Sequence, residues 1–150
     1  MDLNRPLNET NEPAILEFRG AIFSILNHLK ILDSNNKLKK PYLHLALHGM
    51  KDYAHKEINI GTRYNQTCSN NIFAWFRNKL DKYCKEIFDR DLKILYNKEF
   101  IGNSSKGVHR EKYGNLFNTI QIEINITLRT KFFSKILEVL TNIVKSFCKE

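Results

Sequence analysis

Residues 119–125, Thr-Ile-Gln-Ile-Glu-Ile-Asn, alternate without a break between apolar and polar side chains. Successive side chains of an extended strand point to opposite faces. Ile120, Ile122 and Ile124 therefore share one face, and Thr119, Gln121 and Glu123 share the other. Such a strand needs a core on its isoleucine side and neighbours to take up its backbone hydrogen bonds.

Candidates for those neighbours lie upstream. In Tyr42–His48, Leu43, Leu45 and Leu47 point one way, and Tyr42, His44, Ala46 and His48 the other; Gly49 then reads as a turn. Shorter strands are expected at Glu57–Ile60, ended by Gly61, and at Leu92–Tyr96. Helical spacing appears between them. Ile15, Phe18, Ile22, Ile25, Leu26 and Leu29 mark a helix from Pro13 to about Leu32, with Pro13 in the first turn, where its missing N–H is not needed. Ile72, Trp75, Phe76, Leu80, Tyr83, Cys84 and Ile87 mark Asn71–Phe88. Phe132, Ile136, Leu140, Ile143 and Phe147 mark one long helix from Thr127 to about Cys148. Residues 1–12 and 33–40 read as polar loops. Phe100–Asn118, with Gly102, Gly107 and Gly114, reads as a long loop of the kind that is usually functional or mobile. Strands alternating with helices predict an α/β layered domain, a mixed sheet with helices packed on it. No repeat or linker interrupts residues 1–150, so one domain is expected.

Composition agrees. Hydrophobic residues make up 42% and aromatics 11% of the 150, a balance that can build a core. No signal-type apolar run opens the sequence, and no stretch approaches the roughly 20 apolar residues of a membrane span, so the expected location is the cytoplasm. Cys68, Cys84 and Cys148 are odd in number and form no CxxC pair, which predicts reduced thiols rather than a disulfide framework or zinc ribbon. The net charge of +8 and pI of about 9.4 raise the question of nucleic acid. The basic residues are dispersed, however, and the densest group, Lys37, Lys39 and Lys40, lies in a loop without any recognition motif. A solvated face is the better reading, and a basic nucleic-acid binder is the lesser alternative.

Chemistry is expected at two strand positions. His48 ends the first strand, and Glu123 lies on the polar face of the last one. Ligands of open α/β sheets gather outside the carboxyl ends of strands. A neutral imidazole there can bind zinc, and a nearby carboxylate can take a proton from water. Taken singly, each residue more often has a structural or solvated role.

Four segments, Asp-Leu-Asn-Arg-Pro (2–6), Leu-His-Gly-Met (47–50), Glu-Ile-Asn-Ile-Gly-Thr-Arg (57–63) and Ile-Gln-Ile-Glu-Ile-Asn (120–125) followed by Leu128-Arg129, resemble successive blocks of the N-formylglutamate amidohydrolase family. That family is similar in layout to zinc carboxypeptidases, so the resemblance implies a carboxypeptidase-like sheet. It implies zinc-dependent hydrolysis of an N-acyl amide of an acidic amino acid such as glutamate. Asn4 and Arg5 would hold the substrate carboxylate, where an arginine fork suits two parallel hydrogen bonds. His48 would be a zinc ligand and Glu123 the general base. Family members place a His and an acidic zinc ligand ahead of the Asn-Arg pair; here the pair follows Met1-Asp2 directly. The expectation is a domain truncated before its first metal-binding segment. Its consequences would be weak zinc affinity and an inner strand exposed as an edge that invites self-association. Two readings follow: an amidohydrolase-like enzyme, or an inactive remnant or partner-binding fragment. His44, His55 and His109 are substitute ligands by residue type, with solvation the expected role of each.

Overall fold

The computed structural model describes residues 12–102 and 108–149. Asn4 and Arg5 lie outside the described residues. The elements run α1 (Glu12–His28), β1 (Tyr42–Met50), β2 (Ile58–Gly61), α2 (Asn70–Phe88), β3 (Ile94–Tyr96), α3 (Val108–Tyr113), β4 (Phe117–Asn125), α4 (Ile126–Thr130) and α5 (Phe133–Phe147). The protein is thus a mixed α/β structure.

The strand that ends the chain order sits inside the sheet. The spatial order is β1-β4-β2-β3, with β4 parallel to β1 and antiparallel to β2, and β2 parallel to β3. The isoleucine face of β4 packs with Ile58 and Ile60 of β2 under Phe76, Leu80, Cys84 and Phe88 of α2 and Ile136, Val139 and Ile143 of α5. Ile122 is 1% exposed, and Phe76 and Ile143 are wholly enclosed. A smaller cluster lies on the other face, at the amino end of β1 and β4. There Ile22 and Leu26 of α1 meet Ile31, Leu38, Tyr113 and Phe117.

Several boundaries differ from expectation for identifiable reasons. The first helix stops at His28, because Lys30 takes a left-handed conformation and the chain folds back through a Leu32–Leu38 bridge. Asp33 closes that turn by accepting from the backbone N–H groups of Asn35 and Lys37, each at 2.8 Å. Gly49 is not a turn: β1 continues through it to Met50. A Cβ at Gly49 would lie 2.6 Å from Cζ of Arg129, so glycine is the residue that admits this guanidinium. Arg129 donates to the carbonyls of Ile124 (3.0 Å) and Met50 (3.4 Å), tying together the carboxyl ends of β4 and β1. The long loop contains α3, and the final helix is two helices. Asn125 caps the first of these, its side chain accepting from Leu128 N–H at 2.9 Å, while Asp52 accepts from the N–H and hydroxyl of Thr127. Phe132 then departs from helical geometry before α5 begins.

Glu57 fastens the start of β2 to the segment after α2. Its carboxylate takes both terminal nitrogens of Arg90 and the backbone N–H of Lys93, and the Arg90 bond chiefly holds its pKa below the usual range.

Two outcomes are expected. Phe76→Ala should lower unfolding stability by about 3–5 kcal/mol, measured by urea titration, because it hollows the centre of the core. The buried thiols of Cys68 and Cys84 are pushed up to about 12 by desolvation, whereas Cys148 is exposed. A thiol reagent should therefore modify Cys148 in the native protein and reach Cys68 and Cys84 only after denaturation.

Candidate functional site

The face of the sheet opposite the isoleucines carries a row of polar groups. In the β1–β4 register His48 lies beside Glu123, and in the β2–β4 register Asn59 lies on Glu123's other side. Register partners share a face, so His48, Glu123 and Asn59 cross three adjacent strands in one line, with Cα spacings of about 5 Å. The line falls near the carboxyl ends of the parallel strands β1 and β4. The sequence picks out His48 and Glu123 separately; the fold makes them neighbours.

Burial distinguishes the members of this row. Glu123 is 7% exposed and Asn59 is 0% exposed. The amide of Gln121, two residues back on the same face, donates to Oε1 of Glu123 at 2.7 Å and fixes the carboxylate. Asn59 donates through Nδ2 to the carbonyl of Phe100 at 2.8 Å, while its buried Oδ1 has no partner among the described residues. An enclosed acceptor without a donor is costly, and it favours any ligand or water that brings an N–H or O–H. Asn59 has no role assigned from sequence. Its signal is the alternation Ile58-Asn59-Ile60, which sets an amide between two core residues.

A strap formed by residues 97–102 lies over β2 beside this row. Gly61 admits it, since a Cβ there would come within 2.4 Å of the Phe100 carbonyl. Lys56 anchors it. Its side chain is 0% exposed, it forms an ion pair with Oε2 of Glu99, and its ammonium lies 4.1 Å from the Tyr53 ring centroid and 4.5 Å from that of Phe100. Nε2 of His55 meets the other oxygen of Glu99 at 2.6 Å. Lys56 first, and His55 after it, hold the Glu99 carboxyl below its usual pKa of 4.5. Past the strap, Arg63, Tyr64 and Asn65 all adopt left-handed conformations, a run that L residues take only under constraint.

Of the substitute imidazoles, His44 and His55 sit elsewhere. His44 is packed near the rings of Phe18 and Phe117 at 6.0 and 6.2 Å between centroids, and burial lowers its pKa. It is not the solvated residue expected. It also precedes His48 by four strand positions, about 13 Å, too far to share one metal ion. His55 is engaged with Glu99, and no side-chain position is described for His109. Among the described residues no group of three His, Cys, Asp or Glu could hold a metal ion. These residues alone therefore do not complete the three-ligand set of a catalytic zinc. A surface cavity of about 400 Å³ lies apart from the row, lined by Asp81, Lys85, Asp91 and Ile94 on the α2 side of the sheet.

No protein-family model, curated protein or solved structure matches the chain.

The strap gives a pH-dependent prediction. Because Glu99's folded pKa is depressed, its contribution is present above the ordinary carboxylate value of 4.5 and lost as pH falls through the folded value. Acidification through that range should lower the protection of the Arg63 N–H, which donates to the Ile101 carbonyl, relative to an unstructured amide at the same pH. Glu99→Gln should lower that protection at neutral pH. Unchanged protection in both cases would show that the strap does not depend on this ion pair.

Proposed function

We propose that the chain is an amidohydrolase-like protein acting on the N-acyl amide of a small acidic amino acid, with N-formylglutamate as the reference substrate. The supporting observation is the juxtaposition of His48 and Glu123, in register on adjacent parallel strands near their carboxyl ends. The four blocks of resemblance supply the substrate class, and the net charge of +8 favours an anionic ligand.

In this reading Glu123 is the general base, oriented by Gln121, and accepts a proton from the attacking water. The same carboxyl then passes that proton to the leaving nitrogen. Asn4 and Arg5 are assigned the substrate carboxylate on the strength of the resemblance. Zinc, where bound, would polarise the acyl carbonyl and be ligated by His48; the described residues do not furnish its remaining ligands. That shortfall favours a second reading, in which the same face is a catalytically silent remnant that binds an acyl amino acid or partner without turnover.

One experiment separates the two. The purified chain is exposed to zinc, dialysed and assayed for metal and for N-formylglutamate hydrolysis, beside His48→Ala and Glu123→Gln. The enzymatic reading expects retained zinc that His48→Ala loses, and turnover reduced about 10²–10⁴-fold by Glu123→Gln. Absence of both zinc and turnover would leave the silent reading standing.

A further inference from the structure

Helix α1 crosses the polar face of the sheet from the amino end of β1 toward its carboxyl end. Ile22 and Leu26, in its later turns, pack with Phe117 and Tyr42 at the amino ends of β4 and β1. One turn earlier, the Phe18 ring lies 6.0 Å from that of His44, two residues further along β1. Each preceding turn of α1 therefore comes nearer to the level of His48 and Glu123.

The side of α1 turned to the sheet is apolar with one exception. Ile15, Ile22 and Leu26 are buried. Phe18 flanks them toward β1, and Phe23 flanks them toward α3, where the Lys112 ammonium lies 5.3 Å from its ring centroid. At 100° per residue Arg19 falls about 20° from Leu26 and about 40° from Ile15, inside this arc. Arg19 is half-buried, and among the described residues its guanidinium has no hydrogen bond or ion pair. Glu17, the acid nearest to it in sequence, is exposed on the outer side of the helix. A cation set among apolar side chains and turned to a polar strand is poorly placed without an anionic partner.

The direction of the side chain carries the argument further. Helical side chains lean toward the amino terminus of their helix, which for α1 is the direction of the row. Arg19 starts near the level of His44 and leans past Thr119 and Gln121, both half-buried on this face. The row lies four strand positions beyond His44, about 13 Å. An extended arginine covers about half of that span, which leaves a gap of about the length of a side chain ending in a carboxylate.

We propose that Arg19 binds the side-chain carboxylate of an N-acyl acidic amino acid and so selects acidic over neutral substrates. The inference rests on the hydrolytic reading, which puts the scissile amide at His48 and Glu123. Such a substrate carries two carboxylates, and the Asn4–Arg5 pair accounts for one. Arg19 supplies the cation for the other. Its planar fork can donate two parallel hydrogen bonds to that group.

Calorimetric titration of the full chain reads this selection without requiring turnover. The probes are N-formylglutamate, N-formylglutamine, which has nearly the same shape without the second charge, and glutarate, a dicarboxylate without the amide. The unmodified protein should bind N-formylglutamate about 10–100-fold more tightly than N-formylglutamine. Arg19→Met keeps the length and apolar stem and should bind the two equally, with an unchanged circular dichroism spectrum. Arg19→Lys keeps the charge and should retain part of the preference, so the result does not hang on the folding of one variant. A preference that survives in Arg19→Met, or N-formylglutamate bound by the unmodified protein with no preference, would overturn the role of Arg19 and leave the hydrolytic reading standing. Glutarate binding that Arg19→Met abolishes, without binding of either N-formyl compound, would keep Arg19 as a carboxylate site and overturn the hydrolytic reading instead. Binding of none of the three would overturn both.

Discussion

The register of β4 between β1 and β2 is the constraint on which the rest of the structure depends. A strand has a side-chain period of two, so a slip of one residue would move Ile120, Ile122 and Ile124 out of the core and put Gln121 and Glu123 into it. That exchange would strip three large side chains of their burial and enclose a carboxylate among α2 and α5, at a cost of several kcal/mol. The devices at the ends of β4 hold the same register. Asn118 accepts from the N–H of Ser69 and donates to the Leu116 carbonyl at one end; Arg129 and the Asn125 cap hold the other. The position of Glu123 beside His48 and Asn59 is thus enforced by the hydrophobic core on the opposite face.

Lys56 shows a different balance. A fully buried ammonium is unfavourable unless it is paired and its hydrogen-bonding capacity is met. Glu99 supplies the opposite charge, and Tyr53 and Phe100 supply ring faces. All three reach Lys56 from segments outside regular strands. The ion pair therefore determines where the strap lies rather than adding much to global stability: Glu99 is 46% exposed, and solvent screens its share of the interaction. By laying Phe100 over β2, the strap accepts a hydrogen bond from the Asn59 amide, whose buried Oδ1 has no partner among the described residues.

Much of this was legible in the sequence where side-chain alternation and helical spacing carry the information. The four strands, the first two helices and the polar faces of β1 and β4 all follow from such patterns. What escaped depends on contacts between distant residues. Gly49 looks like a turn because the reason for its smallness, Arg129, lies eighty residues downstream. The break at Phe132 is invisible because the apolar spacing runs through it. His44 reads as solvated because the rings that cover it come from α1 and from the start of β4. Of the candidate site, Glu123 and His48 could be singled out by position, but their adjacency requires the pairing of β1 with β4, which period alone does not specify. Asn59 was hidden for the opposite reason: a single amide in a four-residue strand carries little signal until its neighbours are known.

The row His48–Glu123–Asn59 crosses an outer strand of the described sheet and two inner ones. Glu123 and Asn59 lie on strands paired on both sides, with the core beneath and the strap over Asn59. His48 lies on β1, whose outer neighbour is missing from the described sheet. A strand added there would lay its side chains beside His48 at about 5 Å, the distance at which a further ligand or hydrogen-bond partner can act. Removing such a strand would leave Glu123 and Asn59 where they are. The carboxylate and amide are consequently preorganised by the fold: the core on the opposite face sets where Glu123 points, and the strap sets where Asn59 points.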